Sequence, residues 1–324
     1  MRILFLGGTS FTGPHAVREL AGRGHEVTVF HRGEHEPGLP AGVRHVHGDL
    51  ARWDDHVEEL RGLRPDVVVD MRAFVPDEAR RVLAFARIAA RAVVVSSADV
   101  YLAYGRLRGS EPGPFEPLPL TEDSPLREVV VDEGYDKVGV ERAVSAHSDL
   151  PVTVLRYPAV HGPGDPQHRL YGYIRRMDDE RPAILLEESY ARWRWVRGYV
   201  EDVAHAVVLA VESEAAAGRV YNVGDPVAHA ELDWARRIAE ATGWDGGFVT
   251  APNDVLPEHL REEGIDFGQE YVVDSTRIRE ELGYAEIVDE RSALERTIAW
   301  ERANPPAEVA LDYDAEDVAI ASLV

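Results

Sequence analysis

The 324-residue chain carries 58 Asp+Glu against 35 Lys+Arg, a formal net charge of −23. That balance excludes nucleic acid as a partner, since phosphate binding needs a basic surface, and disfavours anionic membranes. With no cysteine, disulfides and thiol catalysis are excluded and structural zinc is disfavoured.

The N-terminal MRILFLGGTSFTG resembles a signal peptide only at first glance. Its apolar core of about five residues runs straight into a glycine turn, as a first buried strand does. Without a run of about 18 apolar residues there is no transmembrane candidate, and a cytoplasmic, small-molecule enzyme is the expectation.

In chain order, residues 2–6 predict a strand, 14–23 a helix opened by proline, 26–30 a strand, and about 43–47 another. The β-branched runs 66–71 and 92–97 predict strands flanked by helices at 52–62 and 76–90. A helix at about 135–147 leads to a strand at 152–157, and a later strand is expected at 219–223. Valine-rich strands alternating with helices predict an α/β fold, a Rossmann-type doubly wound parallel sheet. The Rossmann domain is placed at 1–158, with 198–224 returning to it. A smaller, discontinuous substrate domain is placed at 159–197 and 225–310, and 311–324 reads as an acidic tail. The proline-rich stretch 112–125 reads as an exposed loop.

The first βα turn holds Gly7, Gly8 and Gly13, with Ser10 where the usual dinucleotide spacing has glycine. Glycine lets the backbone turn sharply beside a pyrophosphate, and the helix N-terminus offers free N–H groups. The second strand ends VTVFHRG, with Arg32 and no acid to bind a ribose 2′-hydroxyl. NADP is therefore favoured over NAD. Asp49, in HGDL, stands at the next strand end, where it could hydrogen-bond an adenine amino group. The histidines of HVH (45–47) share one strand face, but no third ligand is near in sequence, so no metal is expected.

EGYDKVGVERA (133–143) contains the single lysine, Lys137, among 35 Lys+Arg. GGTSFTG, HGDL, VSSADVY (95–101), KVGVE (137–141), LRYPAVHGPGD (155–165), RGYVEDVAHA (197–206), VYNVGD (220–225) and VDSTRIREELGY (273–284) occur in this order. Together they resemble the extended short-chain dehydrogenase/reductases, the NAD(P)-dependent epimerase/dehydratases, over about residues 2–300. VVVDMRAF (67–74) departs toward an atypical branch, since family members more often show a Leu-Ala-Ala run there.

The resemblance implies an NAD(P)-dependent oxidoreductase or epimerase acting on a hydroxyl or carbonyl of a sugar nucleotide or related metabolite. It places the catalytic serine on Ser97, holding the reacting oxygen, and the ribose-binding, tyrosine-activating lysine on Lys137. It extends the cofactor contacts to Thr9, Ser10, Phe11, Thr12, Leu50, Met71, Tyr157 and Pro158. Arg197 is matched to an arginine that holds a nucleotide diphosphate, Arg169 to a second anion contact, and His161 to a pocket-lining tyrosine. A homodimer is a further implication.

The expected tyrosine is out of register. Residues four apart share a helix face, but Glu133 stands four before Lys137 and Tyr135 only two. Three readings stay open. Gly134 lets the helix begin late so that Tyr135 enters from the loop, Glu133 replaces the tyrosine as a carboxylate base, or the protein binds dinucleotide as a sensor without hydride chemistry. Asp99 reads as a turn residue, and Asp202 as the cap of the helix that follows it.

Overall fold

The computed structural model describes every residue except His35, Pro37, Val131, Ser148 and Val324. Seven parallel strands form the central sheet: β1 (Arg2–Leu6), β2 (Glu26–His31), β3 (Arg44–His47), β4 (Val67–Asp70), β5 (Arg91–Ser97), β6 (Val152–Tyr157) and β7 (Val220–Asn222). Their spatial order, 3-2-1-4-5-6-7, is that of a doubly wound Rossmann sheet. Its order reverses between β1 and β4, so a crevice opens above their C-terminal ends.

Alternation along each strand explains why both sheet faces are buried. Ile3, Phe5, Val67, Val69, Val93 and Val95 face one core with helix α1 (Thr12–Gly22) and the helix Val200–Glu212. Leu4, Leu6, Val68, Ala92 and Val94 face the other, with Trp53 of helix α2 (Trp53–Gly62) and Val140 and Val144 of helix α3 (Lys137–Ser145). The segment after residue 197 returns to the sheet through β7.

Three local expectations change. The helix expected at 76–90 is a 3₁₀ turn at Pro76–Ala79 followed by the short helix Arg80–Leu83, and Arg87 at φ 64° precludes its continuation. The acidic tail contains the helix Tyr313–Ala321, whose Glu316 is buried against Arg176 and His259. Asp202 lies inside its helix, and its carboxylate accepts the N–H groups of Ile287 and Val288 instead of capping. Among the described residues, no helix is long and apolar enough to cross a membrane.

Candidate active site

A cleft of about 610 Å³ lies over the strand ends, lined by residues 7–12, Arg32, Asp49, Leu50, Met71, Phe74, Arg81 and Tyr157, among others. Gly7 (φ 82°) and Gly8 (φ 93°) occupy the left-handed region that side chains resist. Gly13 lies one layer behind the lining. A Cβ there would stand 2.4 Å from the Gly8 Cα, so Gly13 permits the helix to close on the turn. Serine at position 10 leaves this arrangement intact, because the close approach is made at 8 and 13.

Gly13→Ala is expected to weaken NADH binding about tenfold or more by displacing the Gly8 backbone. Fluorescence titration reads the change, and an unaltered affinity would remove the turn from the binding site.

Asp49 lines the cleft but also caps the 3₁₀ turn Leu50–Arg52, accepting the Ala51 N–H at 2.9 Å. Arg32 lines it with an exposed side chain paired to Glu34 at 2.8 Å. Pro158 is not in the lining. Its ring packs beneath Gly198 and Gly224, where a Cβ would meet it at 3.0 and 3.6 Å. Sequence reasoning missed Gly48, Phe74, Glu78 and Arg81. Gly48 and Phe74 lie within the HGDL and VVVDMRAF segments, whereas Glu78 and Arg81 belong to no such motif and the chain fold alone brings them to the rim.

Ser97, Tyr135 and Lys137 lie outside this lining; the Asp136 carboxylate accepts the Gly139 N–H at 2.9 Å, so α3 starts at Lys137. The late start follows from this cap and not from Gly134, which has no positive φ. Tyr135 thus lies in the preceding loop, fixed by Asp136 N–H to the Phe74 carbonyl at 2.7 Å and by its ring 6.0 Å from that of Phe74. The phenol lies near the Ser97 and Asp99 side chains, and both act on its titration. Glu133 is exposed in the same turn and lines none of the cavities described.

Lys137 is buried directly behind the cleft. Its Nζ donates to the carbonyls of Ala73 (2.6 Å) and Val95 (2.9 Å) and lies 4.5 Å from the Phe74 ring centroid. Burial pulls its pKa down to about 8, with Asp70 and Asp99 partly opposing. Burial raises the Tyr135 phenol, and the Asp99 charge adds to it. The net direction is opposite to the lysine-activated phenolate that the resemblance implies. Asp99 sits in the 3₁₀ turn Ala98–Val100, and burial pushes its carboxyl up while Tyr135 opposes that shift.

One helical turn beyond Lys137, Glu141 faces the same sheet. It accepts from Ser96 Oγ at 2.6 Å and from Arg156 Nη2 at 2.7 Å, and Arg156 also donates to Tyr101 Oη at 2.9 Å. These groups are buried. They tie α3 to β5 and β6 and so set the height of Lys137 and Ser97.

The arginines expected to hold an anion are already compensated. Arg197 is buried between the rings of Trp195 (4.6 Å) and Trp234 (4.9 Å) and is ion-paired with Glu231. Glu231 also accepts from Tyr173 Oη at 2.8 Å and Trp195 Nε1 at 3.0 Å. Arg169 Nη1 donates to Asp165 at 2.6 Å and to the Val160 carbonyl at 2.9 Å. His161 is buried and lines a different cavity of about 360 Å³ with Tyr199, Trp234 and Asp225. Burial holds its imidazole down to about 3, so it is neutral there. The two cavities share none of their lining residues.

Comparison with known proteins shows the family and the fold. Over 274 residues the chain is 27% identical to 2'-dehydrokanamycin reductase of Streptomyces kanamyceticus, covering 81% of this chain and 72% of that one. It is 30% identical to 3-diazoavenalumate denitrifying reductase of a Streptomyces species, covering 75% and 82% respectively. The UDP-glucose 4-epimerase of Thermus thermophilus, solved in complex with NAD, has the same fold at TM-score 0.67 and 22% identity, over 94% of this chain and all of that one. Residues 3–224 match the model of the NAD dependent epimerase/dehydratase family, and the chain belongs to that family.

Proposed function

We propose that the protein is an NAD(H)-dependent reductase that converts a carbonyl of a sugar-like metabolite to a hydroxyl, with Tyr135 as the proton donor. The observation that carries the reading is the nearness of the Tyr135 ring to Lys137, whose Nζ lies 5.8 Å from its centroid, and to Ser97, despite the shifted register. The cofactor cleft fits a dinucleotide. The Gly8–Gly13 contact leaves no room for a side chain at the turn, and the Tyr157 hydroxyl is buried at the cleft without a geometric hydrogen-bond partner. Residues 7–12, Asp49, Met71 and Tyr157 would hold the cofactor, with Lys137 buried behind them, and its bound form supplies the hydride.

Ser97 holds the carbonyl oxygen. A phenol raised by burial stays protonated at neutral pH, so Tyr135 donates to the developing alkoxide. Lys137, protonated below about 8, stabilises the phenolate left behind. Asp99, facing the same hydroxyl, offers a route for returning the proton.

The compensated arginines bear on the substrate. A diphosphate would have to displace the Glu231 carboxylate from Arg197 and Asp165 from Arg169, and each exchange costs a buried or half-buried ion pair. Substrates without a diphosphate are therefore the reading's first choice. NADP is the less supported cofactor, because Arg32 is paired with Glu34. The test is NADH consumption with keto sugars, with and without an attached nucleotide diphosphate. Binding of NADH without turnover of any of them would sink the reductase reading.

A further inference from the structure

β2 ends in His31, and its register partner on the edge strand β3 is His47, with His45 two residues earlier. By strand alternation all three imidazoles stand on one sheet face, the one covered by α1. Edge-to-face ring contacts bring them together: centroids are 5.0 Å apart for His31 and His45 and 4.9 Å for His31 and His47. The β2–β3 loop folds over the same face, tied to α1 by Arg18 Nε donating to the Gly38 carbonyl at 3.3 Å, and contributes Glu36. One ligand atom from each of His31, Glu36, His45 and His47 lies within 4.8 Å of every other. The pair His31 Nε2–His45 Nδ1 is separated by 2.8 Å and the pair His47 Nε2–Glu36 Oε1 by 2.9 Å. Ligands about 2.0–2.1 Å from a tetrahedral zinc lie about 3.3 Å from one another, within the range these atoms span. The motif HVH thus lacked its third and fourth ligands only in sequence.

The geometry points to a binding site for a divalent transition metal of the zinc type, formed by three imidazoles and one carboxylate. Four protein ligands leave no open position, the pattern of a structural site rather than a catalytic one. β2 lies three strand spacings, about 14 Å, from β5 and Ser97, so the ion would act on the cofactor rim. His31 and Arg32 line that rim, and the His31 carbonyl accepts the Gly48 N–H at 2.9 Å. His31 Nδ1 accepts the Gly33 N–H at 3.1 Å, which leaves the ring proton on Nε2. Ligation through Nε2 moves that proton to Nδ1, and the Gly33 N–H must then turn away. Metal binding is thereby coupled to the turn that bears Arg32. This inference does not depend on the proposed reaction.

The test is a Co²⁺ titration of the full chain free of any affinity tag. The expected result is one ion per chain with the intense visible d–d bands of tetrahedral cobalt, displaced by Zn²⁺. His45→Ala and the exposed-site variant His47→Ala should both lose the bands while keeping the wild-type circular dichroism. Absence of tetrahedral bands in the wild type, or their survival in both folded variants, overturns the site.

Discussion

Tyr135→Phe is expected to lower kcat for the proposed carbonyl reduction by about 10²–10⁴-fold and to leave NADH affinity unchanged, the size of a lost positioned proton donor. The variant keeps the ring that packs on Phe74 and removes the hydroxyl that faces Ser97 and Asp99, so a fall in kcat reports the proton and not the packing. The pH profile gives an independent reading. Lys137 is pulled down to about 8 by burial, and its charge is present below that value. Thus kcat/KM, which reports groups of the free enzyme, is expected to be level through neutral pH and to fall as pH rises past about 8. Lys137→Met should remove that decline along with most of the rate. Wild-type turnover by Tyr135→Phe would take the donor role from this residue, and Glu133, exposed on the turn, is poorly placed to inherit it.

Glu141→Ala is expected to destabilise the fold by about 3–5 kcal/mol, because it strands the buried Arg156 guanidinium without its carboxylate. Against a typical total of about 5–15 kcal/mol this is a large fraction. For a chain of this length it corresponds to a melting shift of roughly 4–8 °C. Glu141→Gln keeps an acceptor for Ser96 Oγ and the side-chain volume, so its loss should be smaller. Thermal melts followed by circular dichroism decide the matter. A Glu141→Ala variant melting with the wild type would mean the network is relaxed or wetted in solution. Since the same helix carries Lys137 four residues earlier, surviving Glu141→Ala protein should also bind NADH more weakly.

Much of the fold was legible because its signals are local. Buried parallel strands read as short β-branched runs, and β1, β2, β5 and β6 fall within a residue or two of their expected bounds. The glycine turn was legible for a similar reason, as backbone that must bend sharply and pack closely is written in glycine. Lys137 stood out by its rarity. Register in the α3 region was less legible, because spacing rules assume a continuous helix, and the helix begins only after the Asp136 cap, one residue beyond Tyr135.

Charge at the substrate end was the least legible part. Arg197 and Arg169 carry the residue type an anion site requires, yet whether an arginine is free depends on carboxylates distant in sequence. Glu231, 34 residues on, neutralises Arg197. The same holds for the histidines: HVH is two ligands until β2 aligns His31 with His47 and the loop returns Glu36. By itself, then, the sequence determined the sheet, the nucleotide turn and the family, since those rest on backbone conformation and short-range hydrophobic period. Only the tertiary structure decided which side chains face one another — Tyr135 with Ser97, Arg197 with Glu231, three imidazoles with one carboxylate — because electrostatic pairing is a property of distance in space.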